Sequence, residues 1–297
     1  MNVLNRRRLQ LTFFLLCLAA VAQFSQGQHM LFHLLGAGQP IANFTSASQT
    51  VAESTGVWAG WSSNLSAWTK RRQILVDGVS GALTDFPVMI KLDSTRIDYG
   101  QVQSAGQDLR FTNDAGTLLS YQIEKWDESG TSVVWVKVPT LAAYPTKSSI
   151  WMYYGNPSAI DAQSANAWDL NFAKVMQLNG TTGSIGSGAA IPSAVGAAGT
   201  ANNSGSGMSY AAGQVANGVV LDGTDDWIDI GSDASLNFGA NAPLTVSVFF
   251  KTTDTSGPIV NFRELVTGFP ILGLYIGHNG ASAQYGKVNV LLRDNSG

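Results

Sequence analysis

Few side chains in this sequence could do chemistry, and most of those are carboxylates and aromatic rings. Asp222, Asp225, Asp226 and Asp229 place four carboxylates within eight residues. Such a cluster offers the hard oxygen ligands that calcium takes. Asp222, Asp225 and Asp226 are the candidate calcium ligands, although their spacing is not that of an EF-hand loop and a tight turn wants the same residues. No other cofactor is expected. Trp151, Tyr153 and Trp227 are the candidate ligand-binding residues, because an aromatic ring with a polar handle suits a half-wet binding surface. Trp151 and Tyr153 share one face of a strand and Ile150 and Met152 the other, so one of these pairs faces outward. A nucleophile or a general base is harder to find. His29 and His33 stand four apart with no third ligand near, His278 stands alone, and neither a Gly-x-Ser-x-Gly nor a His-Glu-x-x-His pattern occurs. The expectation is therefore a protein that binds without catalysing.

The elements that carry these residues are set by an unusual composition. Charged residues make up 12% of the 297 residues and apolar residues 45%, with 32 glycines and a single cysteine. The apolar share allows a packed core, and one cysteine excludes a disulfide framework. Arg6, Arg7 and Arg8 precede an apolar run from Leu11 to Ala22 that ends in Ala20-Val21-Ala22. This reads as an export signal over residues 1–22, too short to span a bilayer. Its removal takes away three of the 17 basic residues and none of the 20 acidic ones. A sparsely basic, acidic surface argues against nucleic acid as a partner. Residues 23–66 show weak periodicity and read as a poorly ordered or linker segment.

From Trp68 onward the pattern is that of strands. Ile74 and Val76 share a face, and so do Val88, Ile90 and Leu92. Asp108–Thr112, Tyr121–Trp126, Val133–Val138 and Ser149–Tyr154 follow, broken by Gly, Pro, Asn and Asp. Residues 180–216 are rich in Gly, Ala and Ser and read as long loops; no Lys follows the glycines, so they form no phosphate loop. A second strand series begins near Val175. Within it Val219–Leu221 and Asp226–Ile230 read as a hairpin around Asp222-Gly223, and Leu244–Lys251, Pro258–Phe262, Leu272–Ile276 and Lys287–Leu292 continue it. The expected fold is all-β: two antiparallel sandwich modules over residues 67–160 and 172–297.

Several blocks carry a family resemblance. Trp68-Thr69-Lys70-Arg71-Arg72-Gln73-Ile74, Asp85–Leu92, Asp108-Leu109-Arg110-Phe111-Thr112, Tyr121–Trp126, Val134–Pro139 and Met152-Tyr153-Tyr154-Gly155-Asn156 are similar to a bacterial domain of unknown function, number 2341 in its series. The likeness covers about residues 66–160 and brings no catalytic residues with it. That family occurs in exported bacterial proteins, commonly ahead of a laminin G-like module. Gly218–Ile230 in turn resembles an early hairpin of the concanavalin A-like lectin/glucanase superfamily, laminin G-like branch. This implies a jelly roll that lacks its last strands at Gly297, as in a fragment of a longer protein. Glucanases of that superfamily commonly carry Glu-x-Asp-x-x-Glu, and here Glu264 is the only Glu after Glu128.

The combined expectation is an exported adhesion or binding protein, secreted, periplasmic or at the cell surface. Its partner is a glycan or a cell-envelope or extracellular protein, and no segment of the mature chain spans a membrane. Two rivals are a periplasmic sensory or structural part of a biopolymer-transport protein of the proton-channel type, and an accessory module of a polysaccharide-degrading enzyme.

Overall fold

The computed structural model describes residues 31–36, 50–55, 63–168, 171–203, 207–231, 236, 244–263, 270–277 and 287–292. Residues 1–22, read from the sequence as an export signal, and His29, His278 and Glu264 lie outside them. The described chain is all-β apart from three single turns of 3-10 helix. In chain order the strands are β1 (Leu31–Gly36), β2 (Thr50–Thr55), β3 (Lys70–Val76), β4 (Leu83–Leu92), β5 (Arg110–Asn113), β6 (Leu118–Leu119), β7 (Tyr121–Lys125), β8 (Ser132–Leu141), β9 (Ser148–Tyr154) and β10 (Phe172–Met176). Shorter elements follow: β11 (Gly183–Ser184), β12 (Ala190–Ile191), β13 (Gly199–Asn202), β14 (Ser209–Ala212), β15 (Asn217–Val220) and β16 (Trp227–Asp229). The last four are β17 (Leu244–Phe249), β18 (Gly257–Arg263), β19 (Pro270–Ile276) and β20 (Val288–Leu292). No helix among the described residues is long and apolar enough to cross a membrane.

The first module is a two-layer β structure. A five-stranded sheet in the order β2-β3-β9-β5-β6 faces a three-stranded sheet in the order β4-β8-β7. Period-two alternation decides what lies between them. Ile74, Val76, Ile150, Met152 and Phe111 come from one layer, and Val88, Ile90, Leu92, Val134 and Val136 from the other; all are buried in one cluster. The exposed edge of β7 is covered rather than left open. Ser164 N–H donates to the Tyr121 carbonyl at 2.9 Å, and the Gln163 side chain accepts from Ile123 N–H at 2.7 Å. Covering an edge in this way removes a template for unwanted strand pairing.

The second module is assembled from four three-stranded antiparallel sheets, β10-β1-β17, β11-β14-β15, β12-β13-β16 and β18-β19-β20. Their common core holds Met176, Ile185, Ile191, Ala201, Met208 and Val219, with Ile228, Val246, Val248 and Leu274 packed against it. Three readings of the sequence change here. The glycine-rich tract 180–216 is not plain loop: it supplies β11 to β14, strands so short that no alternation can show. Val219–Leu221 and Asp226–Ile230 do not form a hairpin. β15 pairs with β14 and β16 with β13, so residues 222–226 form an arch that carries the chain from one sheet to another. Finally, the segment 23–66 is not merely a linker. β2 pairs along the edge of β3, and β1 lies between β10 and β17 in the second module, although it precedes the first module in the chain.

Candidate recognition site

The arch and the strand it feeds carry the candidate site. Ala201 stands opposite Ile228, and both belong to the core. The flanking pairs, Asn202 with Trp227 and Thr200 with Asp229, must therefore face outward. Trp227 is 54% exposed, an uncommon state for the largest aromatic side chain. Beside it the Asn202 amide donates to the Thr200 carbonyl at 3.0 Å, which fixes its orientation. The result is a flat ring at one corner of a patch of short polar side chains, Asn202, Thr200 and Asp229.

The arch leading to Trp227 collects the carboxylates read from the sequence. Gly223 adopts φ +79°, a left-handed conformation that suits glycine. Asp222 Oδ1 accepts from Thr224 N–H at 2.7 Å and from Asp225 N–H at 3.4 Å, and Asp226 Oδ2 accepts from Asp222 N–H at 2.9 Å. One carboxylate oxygen each from Asp222, Asp225 and Asp226 lies within 4.8 Å of the others. Asp226 Oδ1 is shielded from water and accepts no hydrogen bond. Three side-chain ligands are fewer than the roughly six to eight oxygens that calcium takes, so an ion here would keep several waters or recruit backbone carbonyls. Asp229 accepts from Gly231 N–H at 2.9 Å on the strand beyond.

Trp151 and Tyr153 do not join this site; they lie in the first module. The outward reading of Tyr153 is corrected by its 1% exposure. Alternation places it away from Ile150 and Met152, as expected, but alternation says nothing of what covers the outer face. Thr112, the cross-strand partner of Trp151, is fully buried there too. Trp151 is half-buried and already engaged. Its indole N–H donates to Asp114 at 2.9 Å, and the Arg71 guanidinium lies 4.3 Å over its ring. The Ser149 hydroxyl, held by Gln73 at 2.8 Å, donates to the same Asp114 oxygen at 2.9 Å. Trp151 thus belongs to an internal network on the sheet surface, with a cation–π contact as one of its members.

The blocks that carry the family resemblance turn out to build structure. Asp108 is fully buried, with Oδ1 accepting from Gln103 N–H at 2.9 Å and Oδ2 from the N–H groups of Gly155 and Asn156 at 2.7 and 3.1 Å. It ties the loop before β5 to the turn after β9. Arg110 ties the same region to the next loop. Its guanidinium donates to the carbonyls of Gln107 and Ile160 at 3.0 and 2.7 Å and lies 5.1 Å from the ring of Trp68.

The outer face of β7 and β8 makes a joint that sequence reasoning missed. Trp135 packs on Trp168 with ring centroids 4.9 Å apart, and Trp168 on Phe172 at 5.2 Å. Val175 of β10 completes this small core between the modules. Polar groups align it: Trp168 N–H donates to Gln122 at 2.8 Å, and the Asn179 amide donates to the Glu124 carbonyl at 2.9 Å. Trp135 N–H donates to the buried Glu124 carboxylate. A signal was present in the alternation, since Gln122, Glu124 and Trp135 all point away from the first core.

Burial pushes the Glu124 carboxyl above the usual carboxylate range, against the pull of the Trp135 N–H. A raised acid favours the folded state most when protonated. Its contribution is fully present below the ordinary Glu value of about 4.3 and is lost as pH rises through the higher folded-state value. Gln can still accept the Trp135 bond but carries no charge. Glu124→Gln should therefore raise stability at neutral pH, with the gain vanishing toward pH values below the carboxylate range. Urea unfolding of both proteins across pH checks this, and a constant difference at all pH values would contradict it.

Comparison with known proteins adds one finding. A family profile described as "Domain of unknown function (DUF2341)" matches residues 105–176. The match supports the likeness read from the first module and runs past that module to Met176, taking in Trp168 and the whole of β10. No curated protein matches the chain, and no solved structure does.

Proposed function

We propose that this chain is an exported, non-enzymatic recognition protein that binds a glycan or a surface protein through its second module, read as a concanavalin A-like, laminin G-like jelly roll. The observation that carries the reading is the outward face of β13 and β16, in which an indole 54% exposed stands opposite Asn202 and two residues before Asp229. An exposed indole offers a sugar its apolar C–H face, and flanking amide and carboxylate groups offer partners for its hydroxyls. The fold analogy sets the expectation, and the patch supplies its chemistry. The acidic arch stands next to the patch, so calcium held there would act by ordering the chain that presents Trp227.

The test is a glycan and matrix-protein array probed with residues 23–297, with and without calcium. Wild type should bind at least one class of target. Trp227→Ala should weaken that binding at least tenfold while changing stability by less than about 0.5 kcal/mol, because an exposed side chain contributes little to folding. Chelation should weaken binding only if the arch holds an ion. Silence across the whole array would sink the reading.

A further inference from the structure

A shallow, half-open cleft of about 80 Å³ lies at the other foot of the same arch. Its floor is apolar: Val219 from β15 and Leu221 just after it, Pro258 and Ile259 from β18, and Ile276 from β19. Its rim is polar, formed by Lys251, Thr252, Asp254 and Ser256 on the connection from β17 to β18. Lys251, Asp254 and Ser256 are exposed on that rim, whereas Val219 and Ile276 are buried.

The rim is held in place from two sides. Gly277 packs so closely beneath it that a Cβ there would come within 2.3 Å of the Thr255 carbonyl oxygen. Asp254 N–H donates to the Thr252 hydroxyl at 3.0 Å, closing a tight turn. The arch reaches the same rim, since a Cβ on Gly223 would lie 3.6 Å from Asp254 Oδ2. The cleft is thus shaped before any ligand arrives, which reduces the ordering cost of binding.

Resting on the recognition reading above, we infer that this cleft seats a single pyranose ring, the terminal or branching unit of the recognised glycan. A pyranose matches both surfaces of the cleft. Its C–H face covers the aliphatic floor, and its hydroxyls meet the hydroxyl, carboxylate and ammonium groups of the rim. A purely aliphatic ligand would strip water from the rim groups without replacing their hydrogen bonds.

The experiment uses the full mature chain and four probes: the methyl pyranosides of glucose, galactose, mannose and N-acetylglucosamine. Binding is read by saturation-transfer NMR and calorimetric titration. At least one probe should bind wild type in the millimolar range. Ser256→Trp, a change at an exposed rim position, should fill the mouth of the cleft and weaken that binding at least tenfold. Asp254→Asn should weaken it several-fold, which keeps the test decisive if the Trp variant folds poorly. Equal binding by wild type and both variants would overturn the cleft assignment and leave the recognition reading intact. So would a chain that binds polysaccharides on the array but none of the four glycosides. Failure of both array and titration would remove the recognition reading, and the cleft assignment with it.

Discussion

Asp108→Ala is expected to cost about 3–5 kcal/mol, because three backbone N–H groups, two of them in buried hydrogen bonds, lose their acceptor at once. The carboxylate bridges the loop at Gln103 to the turn at Gly155 and Asn156, where the Gln103 side-chain amide makes a second link by donating to the Asn156 carbonyl at 2.9 Å. Gly155 sits in that turn at φ +87°, where a Cβ would lie 2.3 Å from the Thr69 hydroxyl, so the turn has little room to find another arrangement. Asp108→Asn should fare hardly better. Both carboxylate oxygens accept from N–H groups, and an amide would direct its own N–H at one of them. Urea unfolding followed by near-UV circular dichroism measures the loss. A change below about 1 kcal/mol for the Ala variant would mean that the latch is not what holds this end of the sandwich.

Trp135→Ala is expected to cost a similar 3–5 kcal/mol, the usual range for removing a buried aromatic ring. It acts in two ways. It opens a cavity beneath Trp168, and it leaves the buried Glu124 carboxylate without its indole donor. Because the ring lies between the modules, the loss should also change how the protein melts. Wild type should unfold in one calorimetric transition, and the variant in two. Trp135→Phe separates the contributions, since it retains most of the packing and loses the donor. A single unchanged transition in the Ala variant would show that the aromatic joint does not couple the halves.

The two modules differ in how much of them could be read from the residues. In the first, long strands made the alternation visible, and Ile74 with Val76 and Val88 with Ile90 and Leu92 occupy the core as expected. In the second, the longer β17 to β20 fall within the strands read from the sequence, whereas β11 to β14, of two to four residues, are too short to show a period. The supposed hairpin around Asp222-Gly223 shows a different limit. A five-residue turn can close a hairpin or bridge two layers, and only the partners of β15 and β16 decide between them. Tyr153 shows a third, since a strand pattern separates faces without telling which of them meets water. For β1 no local signal existed: Leu31-Phe32-His33-Leu34-Leu35-Gly36 has no β-branched residue and no alternation. Of the candidate site, the closeness of the three aspartates was legible, because carboxylates within one turn of chain lie near one another; the exposure of Trp227 was not, for the same reason as the burial of Tyr153. The cleft was not, because its walls come from strands far apart in the chain.

The position of β1 has consequences for biosynthesis. This strand leaves the ribosome before any residue of the first sandwich, yet its neighbours span Phe172–Met176 and Leu244–Phe249. The first sandwich can settle while its leading segment still waits, unpaired, for partners not yet synthesised. Closing so long a loop is slow, and an unpaired strand is prone to find the wrong edge in the meantime. Synthesis of both halves before the leading strand docks avoids that hazard.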